Sequence, residues 1–424
     1  MPLGCIVCTA FIVSQPLVYP YANGNFRHSR GISILYMAWG FSCCSFYLQG
    51  HFLQPQSVNR ATVQGFTLSF CLYISLVETR GCCSPRPLAN EKNTMKQQRI
   101  LSLDLIRTVA ILLVITQHAW SGLQLDEPGF GIGCHIYQAL VVMGVPLFFM
   151  LSGTLMLGGK PLPIGQFLSR RFKRLLLPYL LWATLVYIIS AVMHKYPDVQ
   201  NLENGLHNYC SYLLSGKINP SYWYIFVLIG LYALTPFMHR VLATPYAKRL
   251  TEYGLILWMS WLMLRAYYPQ FGSMHYYSAP AFSYMGFFLC GHYCVRYLTD
   301  ERRNRYIGAV GFAVAYAFNV WGLVDGFSTS LAHTLGVVSL FLLLKSCVVP
   351  EKFSSLITSS GRYTYVIYFV HVPLVGMLCM LDVWDWCPLW IRPLAITLLS
   401  FLVSYSIAWI ADRIRWVPNA WVGI

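Results

Sequence analysis

From Met95 onward the chain is a succession of ten apolar runs, near 105–123, 138–157, 175–194, 222–241, 253–268, 278–297, 306–322, 329–348, 363–381 and 393–411. A run of about 20 apolar residues is the length that crosses the hydrocarbon core of a bilayer as a helix. Backbone polar groups find no water there, so each must be satisfied within its own helix. The expected fold is therefore all-α, a polytopic membrane helical bundle with about ten transmembrane helices from residue 95 onward.

The connections carry the orientation. If the segment before the first run is cytoplasmic, alternate connections hold nineteen basic residues, among them Arg170, Arg171, Lys173 and Arg174, and the opposite side holds four: Lys195, Lys217, Arg265 and Arg392. The positive-inside rule then puts both ends of this region in the cytoplasm. The alternation also supports the count, because one missed helix would scramble it. With 57% hydrophobic and 11% charged residues, the formal charge of +15 is spread over short loops. That pattern faces phospholipid headgroups and excludes a nucleic-acid surface, which needs an accessible basic stripe.

The first 94 residues differ from the rest. They hold seven of the fourteen cysteines and only two acids, Glu78 and Glu91. No secretory layout is present, and Cys5 and Cys8 have no partner pair at zinc-site distance. Residues 1–94 read as an atypical N-terminal extension. It is either upstream sequence before a native start at Met95 or an extra membrane hairpin. Cys134, Cys210 and Cys387 are expected on the outer side as isolated thiols, since three cysteines fix no pairing.

Ionisable groups inside an apolar span are costly unless they face protein or water, and so point to function. The first span contains Arg107 and His118, eleven residues apart, which puts them about 20° apart around the helix and about 16 Å apart along it. Asp104 lies one turn before Arg107 on nearly the same face. An arginine fork suits a phosphate and a histidine suits general-base work near neutral pH. An anion held at the mouth could extend a long arm to a base deeper in the membrane. The bland alternative is a histidine bonded to a backbone carbonyl and an arginine snorkelling to headgroups.

Other polar groups are less decisive. Arg171 and Arg174, in SRRFKRLLLPYLLW before the third span, read as a topology signal, a phosphate clamp, or both. Ser152-Gly153 in the second span reads first as a close helix approach. Tyr365, Tyr368 and His371, spaced by three in the ninth span, form a polar stripe that could also be aromatic packing. Tyr209, Tyr212, Tyr222 and Trp223, in or beside an outer loop, could stack on sugar rings or form an interfacial belt. No G-x-S-x-G elbow, Walker loop or HExxH helix is present.

SLDLIRTVAILLVITQH, GVPLFFMLSG, RRFKRLLLPYLLW, YWYIFVLIGLYALTPF and GRYTYVIYFVH occur in an order and spacing that resemble the acyltransferase-3 family of integral membrane O-acyltransferases, over essentially all of Met95 to the C-terminus. The likeness is greatest to its stand-alone ten-helix type, exemplified by the O-acetyltransferase of enterobacterial common antigen. The resemblance implies transfer of an acyl group, commonly acetyl from acetyl-CoA as co-substrate, to a hydroxyl of a glycan or lipid-linked saccharide at the bacterial cytoplasmic membrane. No bound cofactor or metal is implied. His118 takes the position of the family's essential histidine and Arg107 that of its partner, and Arg171 and Arg174 fall in a motif implicated in handling the donor. Tyr368-Phe369-Val370-His371 departs from the family's common Tyr-Leu-x-His ending. Two other functions suit the polar groups: a secondary transporter, or a non-catalytic subunit that relays an acyl group to a partner enzyme.

Overall fold

The computed structural model describes residues 89–123, 132–159, 161–192, 202–267, 280–325, 330–381, 384 and 387–414; the side chains of 89–100 lie outside the described set. Residues 1–88, most of the atypical extension, also lie outside it. The described residues form helices, turns and short 3-10 segments, with no strand among them. In chain order the helices are α1 (Ala89–Gly122), α2 (Ile132–Val141), α3 (Gly144–Leu157), α4 (Ile164–Val192), α5 (Leu202–Ser215), α6 (Trp223–Leu242), α7 (Ala247–Tyr267), α8 (Pro280–Arg296), α9 (Glu301–Asp325), α10 (Ser330–Lys345), α11 (Glu351–Cys379) and α12 (Arg392–Arg413).

Each of the ten apolar runs contains a helix, and the architecture is a polytopic helical bundle. Among the described residues, six segments are long and apolar enough to cross a membrane by length and composition: Leu101–Gly122, Ile132–Leu157, Ile164–Val192, Trp223–Leu242, Glu351–Cys379 and Arg392–Arg413. Three helices, α1, α4 and α11, begin well before their apolar runs. The first three turns of α4 carry the basic cluster, and those of α11 carry the serines of EKFSSLITSS. Both turns are helical without being apolar, so hydropathy alone places the starts too late.

The second run is broken at Val142-Met143 into α2 and α3. Pro146 has no N–H to offer the Val142 carbonyl, and a proline is tolerated there because it falls in the first turn of the new helix. Gly144 then permits close approach to α1, since a Cβ at that position would stand 2.9 Å from the Ala110 carbonyl.

The connection after α4, expected on the outer side, is not a simple surface loop. Leu202–Ser215 is a helix running back down α4, with the Tyr187 hydroxyl donating to the Gly205 carbonyl at 2.8 Å, Thr184 and Tyr209 sharing a 2.7 Å bond, and Tyr179 donating to Leu213 at 2.6 Å. Gly216 turns the chain at φ +70°, a value that favours glycine, and buried Ile218 and Asn219 lead through a 3-10 turn into α6. Tyr222 is fully buried between Tyr179 and Phe369, and Tyr209 and Tyr212 pack on Tyr187. Fourteen residues with Glu203, Asn204, His207 and Asn208 among them are too short and too polar to register as an apolar run.

Helix α1 sits at the centre, packed against α3, α10, α11 and α12. It runs parallel to α11: Gly361 meets Asp104, His371 meets His118, and Gly122 meets Cys379. Some basic residues counted as topology signals also close helix ends. Lys345, only 8% exposed, donates to the Leu298 carbonyl at 2.6 Å beside Glu301, and Arg305 donates to the Ser346 carbonyl at 2.7 Å.

Candidate active site

The site is assembled on the α1–α11 seam. At the end of α1 expected to face the cytoplasm, Asp104 is buried and bound to Arg107, whose side chain remains about a quarter exposed at 27%. A carboxylate can be buried there because its partner is one turn away and its flank is covered by backbone, not by side chain. Gly361 provides that cover, since a Cβ on it would lie 2.8 Å from the carboxylate oxygen. The next two residues tie α11 to α12. Arg362 bonds one Asp412 oxygen at 2.8 Å and the Tyr363 hydroxyl donates to the other at 2.9 Å. The Gly-Arg-Tyr sequence thus fastens three helices around Arg107.

Farther along the seam, His118 and His371 lie with ring centroids 5.1 Å apart and planes inclined by 60°. Both are buried, His371 completely. Nδ1 of His371 is 2.7 Å from the Tyr368 carbonyl and 3.2 Å from that of Ile367, whereas its Nε2 is buried without a hydrogen-bond partner. Two residues before His118, Thr116 bonds Thr397 of α12 at 3.1 Å. Because α1 is helical throughout, the rise from Arg107 to His118 is about 16 Å, as the spacing requires.

The turn between α5 and α6 reaches this seam. Asn219 accepts from the Ser221 N–H at 3.0 Å and from the Ser221 hydroxyl at 2.9 Å, which fixes its amide with the oxygen toward Ser221. The Ser221 carbonyl in turn accepts from Tyr368 at 2.5 Å. Non-helical backbone away from water is stable when protein covers and bonds it, and here Ile218, Asn219, Ser221 and Tyr222 are all buried.

A row of aromatic residues joins the basic cluster to the histidines. Arg171 is half-buried, rests over Phe167 at 5.7 Å, and lies within electrostatic reach of Tyr232, which is itself within reach of Tyr365. Tyr365 stacks on Tyr368, which packs 5.6 Å from Tyr224 and 6.0 Å from His371. The Tyr365 hydroxyl donates to the Leu175 carbonyl at 3.0 Å, beside Arg174 on α4. Gly361 and Tyr365 are one turn apart on α11, so Arg107 and the Arg171–Arg174 turn flank α11 at one level. His371 stands about 9 Å farther along the same helix than Tyr365.

The sequence-derived residues are therefore only partly assembled. Asp104, Arg107, His118, Tyr368 and His371 share one seam. Ser152 lies beside Tyr224 at its edge, and its neighbour Gly153 makes the expected close approach, with a Cβ there falling 1.7 Å from the Phe288 carbonyl. Arg174 is exposed, as are Arg170 and Lys173. Sequence reading missed Asn219, Ser221, Tyr224, Tyr232 and Asp412. The tyrosines were visible as polar positions within YWYIFVLIGLYALTPF, but nothing local marked Asn219. Among the described residues, Cys210 and Cys387 are free thiols.

An arrangement of this kind has a cationic mouth, an aromatic lining and a buried imidazole pair, which are the parts needed to bind an anionic carrier and handle a proton. No curated protein and no solved structure matches the chain. The family model described as an acyltransferase domain matches residues 100–411, which takes in α3, α4, α6 and α11 and all of α1 from the mouth to the histidine pair. With that match over most of its length, the chain belongs to the acyltransferase-3 family and is a multi-pass membrane acyltransferase, an enzyme acting on groups other than amino-acyl groups.

Proposed function

We propose that the enzyme moves an acetyl group from acetyl-CoA to a hydroxyl of a glycan or lipid-linked saccharide at a bacterial cytoplasmic membrane, with His118 as general base. The observation that carries the reading is the buried pair of His118 and His371, with centroids 5.1 Å apart, about 16 Å along α1 from the Asp104–Arg107 pair. Arg107, Arg171 and Arg174 receive the donor's phosphates at the mouth, where guanidinium forks offer charge-assisted bonds. The donor's long arm follows the tyrosine row, so its thioester stops beside His118. Asp104 holds Arg107 in place, and Ser152 and Tyr368 brace the lining.

In the reaction, the acceptor hydroxyl oxygen attacks the thioester carbonyl, forming a C–O bond as the C–S bond breaks. His118 takes the hydroxyl proton and returns it to the departing thiolate, so protons and charge balance. Holding both reactants against one base in a water-poor seam supplies proximity as well as proton transfer.

The test exposes membranes containing the protein or its His118→Ala form to acetyl-CoA labelled in the acetyl group, with native lipid-linked glycans present. Label entering the glycan fraction only with His118 present is the expected result. Equal labelling by His118→Ala at equal protein level removes His118 as the base.

A further inference from the structure

Buried His371 is hydrogen-bonded on one side only. Its Nδ1 faces two carbonyl oxygens, those of Tyr368 at 2.7 Å and Ile367 at 3.2 Å. A lone pair there would point at two oxygen lone pairs, so Nδ1 must carry the hydrogen. Nε2 is then an acceptor, and it is buried without a partner while His118 stands across a centroid gap of 5.1 Å. At that separation facing ring nitrogens can approach to about hydrogen-bond length.

We propose that His371 is a positioning residue: its Nε2 accepts the ring N–H of His118, fixing the tautomer and plane of His118 so that the opposite nitrogen presents its lone pair to the acceptor hydroxyl. This rests on His118 being the general base. A base buried in apolar surroundings needs its spare N–H bonded inward, because an unmade bond there is costly and leaves the ring free to turn. In hydrolase triads a third group orients the histidine; here a second imidazole, itself clamped by the Tyr368 main chain, fills that role. The clamp extends one step farther. Tyr368 is anchored through its hydroxyl to Ser221, and Ser221 is held by Asn219.

The experiment combines kinetics with an activity-independent readout. His371→Leu and His371→Gln are compared with the unaltered protein and with His118→Ala in labelled acetyl-CoA transfer. His371→Leu is expected to lose about 10²-fold in kcat with little change in KM for acetyl-CoA, and His371→Gln, which keeps an acceptor oxygen, to recover at least about tenfold of that loss. In parallel, protein labelled with ¹⁵N-histidine and held in detergent is examined by long-range ¹H–¹⁵N NMR, the His118 signals being assigned with His118→Gln. A single neutral tautomer of His118 that becomes a mixture in His371→Leu supports the proposal even where no acceptor is transferring. An unchanged His118 tautomer pattern in His371→Leu, or wild-type kcat in that variant while His118→Ala is inactive, overturns it and leaves the base assignment standing. Full transfer by His118→Ala instead overturns the base assignment, and the positioning role goes with it.

Discussion

Gly361 lies against Asp104 so closely that a Cβ would stand 2.8 Å from both the Cβ and a carboxylate oxygen of the aspartate. That contact aligns α11 with α1 at the mouth and leaves Asp104 one course, to turn toward Arg107. Gly361→Ala should push the carboxylate aside and release Arg107. The expected effect is a rise of about tenfold in KM for acetyl-CoA, with a smaller change in kcat, since a binding group has moved and the histidines have not. Arg107→Ala should show the same pattern more strongly. Initial rates over a range of acetyl-CoA concentrations distinguish this outcome from unchanged donor saturation, which would make Arg107 purely structural.

Much of this framework can be read from local sequence. Period and length mark the ten apolar runs, and an ionisable residue inside such a run marks Arg107, His118 and His371 singly. That His118 and His371 would meet is invisible, because 253 residues of chain separate them and no periodicity encodes which helices become neighbours. The helix Leu202–Ser215 is invisible for another reason. Its stability comes from bonds to Tyr179, Thr184 and Tyr187 of α4, and an isolated helix of that length is marginal. Asn219 gains its role only from that packing.

Gly153 and Gly291 mark where α3 and α8 touch backbone to backbone. A Cβ on Gly153 would fall 1.7 Å from the Phe288 carbonyl oxygen, and one on Gly291 would fall 1.9 Å from that of Met150. Backbone cannot step aside as a side-chain tip can, so either alanine must part the helices. Gly153→Ala and Gly291→Ala should each destabilise by at least about 1–3 kcal/mol, seen as a lower melting temperature in detergent. Gly376→Ala meets nothing within 4 Å and should leave stability unchanged or slightly raised. Equal melting of all three proteins would contradict the close α3–α8 contact.

Tyr368 and Tyr365 adjoin in the lining but hold different things. Tyr368 bonds the Ser221 carbonyl in a turn whose Asn219, Ser221 and Tyr222 are buried, whereas Tyr365 bonds the Leu175 carbonyl within α4. The Ser221 carbonyl keeps the Trp223 N–H, so each phenylalanine loses about 1 kcal/mol of hydrogen bond, but only Tyr368→Phe also untethers the buried turn from α11. Tyr368→Phe should therefore melt lower than Tyr365→Phe and lose more transfer activity, because the turn it anchors packs through Tyr222 on Phe369, two residues before His371. The reverse order in a paired thermal and kinetic comparison would remove the Ser221 turn from the site.

Arg171 and Arg174 lie one turn apart on α4 but in different surroundings. Arg171 is half-buried, stacked over Phe167 and within reach of Tyr232, whereas Arg174 is exposed. A charge held beside low-dielectric protein acts more strongly on a phosphate than one screened by water, and an ordered side chain loses less entropy on binding. Arg171→Ala should raise KM for acetyl-CoA by about tenfold or more, and Arg174→Ala by only a few-fold, the latter effect fading as salt rises because exposed charges are screened beyond about 8 Å at physiological ionic strength. Saturation curves for both variants at low and high salt make the comparison. If Arg174→Ala proves the more damaging at both ionic strengths, the phosphates are met at the exposed rim of α4, and the row from Arg171 through Tyr232 and Tyr365 is packing, not the path of the donor.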